Sequence, residues 1–128
     1  MSADTIFGRL GREKFFELSR LFYARALADP LIGPMLPHDD IDGAVERQAL
    51  FLVQLFGGPP EYSSRRGHPR LRARHMPFPI TEAARNNWIA HMKAALGEAG
   101  IGGEEREAML EYFERAATFM INQQGGHP

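Results

Sequence analysis

Five histidines, His38, His68, His75, His91 and His127, have the broadest chemical reach of any residues in this sequence, and no cysteine accompanies them. The lack of thiols excludes disulfides, thiolate metal sites, iron–sulfur clusters and a cysteine nucleophile together. No two histidines stand four residues apart, the spacing that puts two imidazoles on one helix face, so a four-ligand zinc site is not expected. A lone imidazole beside apolar residues is more often structural than a ligand. Haem iron, however, needs only one protein ligand, because porphyrin supplies its equatorial bonds and a single histidine often supplies the proximal one. A cysteine-free chain with isolated histidines meets that requirement.

Haem also demands a wide apolar slot. Phe51, Leu52 and Leu55, with Leu71, Phe78, Trp88 and Met92, are candidates to line one, although plain core packing would give the same pattern. Tyr23, Gln48 and Trp88 place polar groups on apolar stripes of three separate segments. Each is either a core residue with a satisfied hydrogen bond or one of a set converging on a ligand, since an unpaired buried polar group costs about 1–3 kcal/mol. Arg65, Arg66, Arg70, Arg72 and Arg74 lie between Tyr62 and Thr81 with no acidic residue among them. They read as a solvated loop, as a nucleic-acid patch, or as partners of a bound anion such as the haem propionates, which guanidinium forks suit. Arg72 is included in the candidate cofactor-binding set on that last reading.

Helices must position these groups. Sixteen Ala and twelve Leu against two Val and three Thr favour helix over strand. Phe15, Leu18, Phe22 and Ala26 recur at helical spacing and predict a first long helix over residues 12–28. Asp29-Pro30 can start one further turn, which Gly33-Pro34 and Pro37 stop. The acidic run Asp39-Asp40-Ile41-Asp42 suits the start of a helix over residues 42–56. Its stripe of Ala44, Gln48, Phe51, Leu52 and Leu55 spans an arc of about 100°. Gly57-Gly58-Pro59-Pro60 ends that helix, and residues 57–69 read as an irregular, functional loop. A short helix over residues 71–75 is closed by Pro77 and Pro79, which leaves His75 at its end. Thr81 caps the next helix, whose face is Ala84, Trp88, His91, Met92 and Ala95 and which Gly97 and Gly100 end. Met109, Tyr112, Phe113, Ala116 and Met120 share a face of the last helix, and residues 123–128 are expected to fray.

Length and charge narrow the classes further. At 128 residues with 44% hydrophobic and 24% charged positions, the chain suits one globular domain. Its formal net charge of -1 gives no overall pull toward nucleic acid or anionic lipid. It shows no basic start followed by an apolar run and no stretch near the roughly 20 apolar residues of a membrane span, so a cytoplasmic protein is expected.

The order Phe22-Tyr23, then Asp39-Asp40 through Gly57-Gly58-Pro59, then Arg66-Gly67-His68-Pro69-Arg70-Leu71-Arg72, His75-Met76-Pro77-Phe78 and Trp88 resembles group II truncated haemoglobin over nearly the whole chain. The resemblance implies an all-α, two-over-two helical sandwich around haem b, as a single domain over residues 1–128. It implies His75 as the proximal iron ligand, with Tyr23, Gln48 and Trp88 facing a bound diatomic gas, and Ala44 where many globins put a distal histidine. The implied ligands are O2, CO and NO, or peroxide. Tyr23, Gln48 and Trp88 can all donate to partial negative charge on bound oxygen, which predicts tight, slowly released O2. Nitric oxide dioxygenation or peroxidase-like turnover would require a separate reductase, since the chain has no Gly-rich dinucleotide motif.

Two positions depart from the family pattern. Leu36 stands where an aromatic residue usually follows the short C helix, and Gly11 followed by Arg12 stands where paired glycines often precede helix B. Two other readings stay open on residues alone. One is a nucleic-acid-binding module using residues 65–74, with salt-dependent binding and no chromophore. The other is a cofactor-free helical interaction protein with an exposed groove beside Phe51 and Trp88.

Overall fold

A computed structural model describes residues 5–123. Those residues form seven α-helices and one 3-10 turn, with no strand among them. In chain order these are α1 (Ile6–Leu10), α2 (Arg12–Ala26), the 3-10 turn (Gly33–Met35), α3 (Ile41–Leu55), α4 (Glu61–Arg66), α5 (Leu71–His75), α6 (Glu82–Glu98) and α7 (Gly103–Met120). None is long and apolar enough to cross a membrane.

Local chemistry sets the helix ends. The Asp40 carboxylate accepts from the Gly43 amide at 3.1 Å, and the Thr81 hydroxyl from the Ala84 amide at 3.1 Å. Each satisfies one of the free donors of a first turn. Gly11 sits at φ 84° between α1 and α2, a value that side-chain-bearing residues rarely adopt, so this single glycine makes the sharp entry into α2. At Gly57, with φ 102°, a Cβ would come within 2.6 Å of the Thr5 side chain. The missing side chain lets α1 close over the end of α3, where the Phe7 amide donates to the Phe56 carbonyl at 2.9 Å.

Helices α2 and α3 pack together, α2 also meets α6, and α6 lies on α7. Phe15, Leu18, Phe22 and Ala26 of α2 are buried against Leu52 and Val53 of α3, Ile89, Met92, Ala95 and Leu96 of α6, and Met109 and Phe113 of α7. The α2 stripe is the one its spacing predicts.

Four local features differ from expectation. In α3 the buried residues are Ala44, Val45, Ala49, Leu50, Leu52 and Val53, while Leu55 is 36% exposed. Gln48 and Phe51 face a cavity, as the slot-lining reading of that stripe expects, so Leu55 is the position that departs. Gly33-Pro34 begins the 3-10 turn instead of stopping a helix, because Asp29 holds the preceding amides of Leu31 and Ile32. Residues 61–66 form α4 within the span expected to be loop, tied to α3 where Gln54 donates to the Ser63 hydroxyl at 2.7 Å and accepts from its amide at 2.9 Å. Helix α6 runs through Gly97 and stops only before Gly100, at φ 75°. Residues 124–128, including His127 and nearly all of the tail expected to fray, lie outside the described residues.

Asp29 is the main buried carboxylate of the fold. It is 9% exposed and accepts from the Leu31 and Ile32 amides at 2.7 and 3.1 Å and from His91 Nε2 at 2.7 Å. These bonds tie the turn after α2 to α6. The His91 hydrogen bond, with the two amides and the His91 charge, outweighs burial and holds the carboxyl below its ordinary value of 3.8. Asp29→Ala should therefore cost about 2–3 kcal/mol at pH 7, measured by urea unfolding. Because the folded-state pKa is depressed, that contribution is complete above the unfolded value and is lost as pH falls through the folded one. The gap between wild type and variant should accordingly narrow below about pH 4.

Candidate functional site

Between α3 and the α6–α7 pair the structure encloses a cavity of about 670 Å³, within the usual range of about 300–1,000 Å³ for cofactor and ligand sites. Tyr23, Ala44, Gln48, Phe51, Leu52, Leu71, His75, Phe78, Trp88 and Met92 all line it, which brings together ten of the residues singled out in the sequence. Leu55 and Arg72 do not. They line a neighbouring recess that shares Phe51, Leu71, Tyr112, Ala116 and Met120 with the first.

His75 closes α5 and is half-buried. Its Nδ1 lies 2.7 Å from the Leu71 carbonyl. A carbonyl oxygen only accepts, so Nδ1 carries the proton and Nε2 is left as the nitrogen able to bind a metal.

Three polar groups reach the cavity from three helices. Trp88 is held between Phe22 and Phe113, with ring centroids 5.0 and 5.6 Å away, and Phe22 also meets the Tyr23 ring edge-on at 5.4 Å. Phe22 thus braces two of the three. Burial raises the Tyr23 pKa, an effect the nearby Arg47 charge partly offsets, so the phenol keeps its proton at neutral pH. The third group, Gln48, has its Oε1 buried with no hydrogen-bond partner. Orphaned buried polar atoms are rare in folded chains, and this one borders a cavity large enough for a cofactor.

Among the described residues no carboxylate lines the cavity, whereas Arg47, Arg74 and Arg85 do. Arg85 is spent on Thr118, Asn86 and the Glu114 carbonyl. Arg47 makes one bond, to Asp40, and Arg74 one, to the Pro69 carbonyl, so both keep donors for an anionic group. Arg72 is committed elsewhere: Nε donates to the Phe119 carbonyl at 3.1 Å and the other guanidinium nitrogens reach Ile121 O and Met76 Sδ. Arg65 pairs with Glu46 and Glu61, so the arginine run is not a uniform free patch.

Several lining residues carried no sequence signal. Buried Tyr62 belongs to α4, which the sequence left as loop, and Ile32 and Met35 join Pro34, Leu36 and Pro37, already marked in the sequence, in a wall from the turn after α2. Leu36 takes its place in that wall as an aliphatic surface.

The family model for the bacterial-like globins matches residues 5–122. The group 2 truncated haemoglobin YjbI of Bacillus subtilis (strain 168) is 41% identical over 114 residues, 89% of this chain and 86% of that protein. The chain belongs to the group II truncated haemoglobins. Among solved structures, a haemoglobin of the thermophilic phototroph Chloroflexus aurantiacus is 48% identical with a TM-score of 0.89, covering 93% of this chain and 98% of its own. The truncated oxygen-avid haemoglobin of Bacillus subtilis is 39% identical with a TM-score of 0.89, covering 93% and 100%. The fold is accordingly the two-over-two truncated globin, with α2 and α3 as one pair and α6 and α7 as the other. A globin's cofactor is haem, and the residues present fit it: an apolar slot, one imidazole with Nε2 free, an orphaned Gln48 Oε1, and arginines with no carboxylate among the lining residues.

Buried Tyr23 should ionise above the ordinary value of 10.0. The ultraviolet titration difference between wild type and Tyr23→Phe measures this. Adding Arg47→Ala should push the midpoint higher still, because that charge favours the phenolate.

Proposed function

We propose that this truncated globin, one domain over residues 1–128, holds haem b through His75 and takes up O2 tightly and reversibly. The carrying observation is the 2.7 Å bond from His75 Nδ1 to the Leu71 carbonyl, which fixes the tautomer that presents Nε2 as a ligand. Leu71, Phe78, Phe51, Leu52 and Met92 supply the apolar walls that exclude water, and Arg47 and Arg74 offer donors to the propionates. The commitment of Arg72 to α7 favours those two arginines over it.

Ferrous haem supplies the centre at which a diatomic gas is bound reversibly. The chain's own part is the surroundings of that gas. Tyr23 stays a protonated donor because its site is buried, Trp88 offers an indole N–H fixed by Phe22 and Phe113, and Gln48 has an amide with no protein partner at Oε1. Ala44 leaves room beside them without contributing a donor. Hydrogen bonds to a partly charged guest contribute about 1.5–3 kcal/mol each, so two suffice for a hundredfold slower release. The oxygen avidity named for the Bacillus subtilis relative agrees with this reading.

Slow release suits sensing, storage or redox chemistry on NO or peroxide better than oxygen delivery. CO and NO would enter the same pocket, and turnover would draw electrons from a separate reductase. A cytoplasmic location accords with both.

Protein purified from haem-supplemented cells should show a stoichiometric Soret band that shifts on reduction and again with CO. In His75→Ala the band should be lost or strongly altered; an unchanged spectrum there would assign the ligand elsewhere. Tyr23→Phe and Trp88→Phe should each speed O2 dissociation about tenfold or more in stopped-flow measurements, since about 1.4 kcal/mol is tenfold. Wild-type off-rates in both would refute the distal assignment.

A further inference from the structure

The segment that carries His75 has little to hold it in place. Helix α5 is five residues long, buries none of them, and starts from Arg70 at φ 48° without a side-chain cap. Beyond it, Pro77 and Pro79 have no amide hydrogen to donate. Within the segment that follows, the Phe78 amide donates back to the His75 carbonyl at 3.0 Å.

Support comes from the far end of the chain. Past the end of α7, the Asn122 side-chain nitrogen donates to the carbonyls of His75 at 3.2 Å and Phe78 at 3.0 Å, and its Oδ1 accepts from the Ile80 amide at 3.0 Å. Two carbonyls on one side and an N–H on the other leave a single orientation for the amide. The backbone amides of Asn122 and Gln123 both donate to the Ile80 carbonyl, at 3.0 and 3.2 Å. Arg72, one turn before His75, reaches back to the carbonyls of Phe119 at 3.1 Å and Ile121 at 3.4 Å, which the end of α7 leaves without helical partners.

We propose that Asn122, supported by Arg72, is a positioning residue for the proximal histidine: it clasps the backbone on both sides of the Pro77–Pro79 stretch and so fixes where the imidazole of His75 stands. The proposal rests on His75 being the iron ligand. Asn122 touches neither cofactor nor gas and acts through the His75 backbone. Its loss should act as the removal of an outer hydrogen bond at a metal ligand does, by about 10- to 100-fold in retention of the bound group.

The test compares haem-loaded wild type, Asn122→Ala, Asn122→Asp and, as a remote control, Lys14→Ala, whose ammonium holds the Ala99 carbonyl at 2.8 Å. The readouts are haem transfer to an excess of acceptor apoglobin, the iron–histidine stretching band of the reduced protein by resonance Raman, and amide exchange at Ile80. Both Asn122 variants should lose haem about 10- to 100-fold faster and shift or broaden the iron–histidine band, while Lys14→Ala does neither. Ile80 exchange should quicken in Asn122→Ala and stay slow in Asn122→Asp, which keeps the acceptor oxygen but loses both donors. A wild-type band with wild-type haem loss in both variants overturns the clasp alone. No iron–histidine band in the wild-type protein would overturn it together with the assignment of His75.

Discussion

The structure depends on a core that its own side chains do not close. Protein interiors are packed like organic crystals, and an opening of about 670 Å³ between the helices is far larger than the gaps such packing leaves. The helices around it are otherwise well packed, with Phe15, Leu18, Met92, Ala95 and Met109 fully buried. The opening is therefore a built feature between two tight helix pairs. The walls are apolar, the charged side chains among the described lining residues are arginines, and the imidazole nitrogen left available is His75 Nε2, a set that suits the haem of a globin.

Around this opening the fold divides its labour between rigid and dependent elements. Helices α2 and α6 carry Tyr23 and Trp88 on long elements packed into the core, where ring packing through Phe22 and Phe113 leaves both little freedom. The turn after α2 is fixed from within by the Asp29 carboxylate and His91, and the wall from Ile32 to Pro37 follows from that anchor. The side that carries His75 is built in the opposite way. Helix α5 is short, exposed and followed by prolines, and its position is set by partners on the last turn of α7 and the residues just after it. A histidine on a short tethered element is positioned by a few hydrogen bonds, whereas Tyr23 and Trp88 are positioned by the core itself.

Much of this was legible in the residues. The missing cysteines, the Ala- and Leu-rich composition, the caps at Asp40 and Thr81 and the isolation of His75 before Pro77 are local facts, and they pointed to helices and a single-histidine metal group. Less legible was the α3 stripe, where Gln48 and Phe51 have the spacing of a core seam but face a cavity, and Leu55 turns partly to solvent. Apolar periodicity reports burial without saying whether the cover is protein or ligand. Helix α4 was hidden because Gly57 to Pro60 mark a break while its tie to Gln54 crosses that break.

By itself, then, the sequence determined the four long helices α2, α3, α6 and α7, the caps at Asp40 and Thr81, the family resemblance and the residue types available for chemistry, because caps, prolines and helical periodicity act within about one turn of the chain. Only the tertiary structure decided which arginines face the cavity, which nitrogen of His75 is free, that Tyr23, Gln48 and Trp88 line the same cavity as His75, and that Asn122 grips the histidine segment from 47 residues away. A hydrogen bond across such a separation leaves no periodic or compositional trace. It exists because the helix pairs bring the two segments within 3.2 Å of each other, and that is a property of the packed chain.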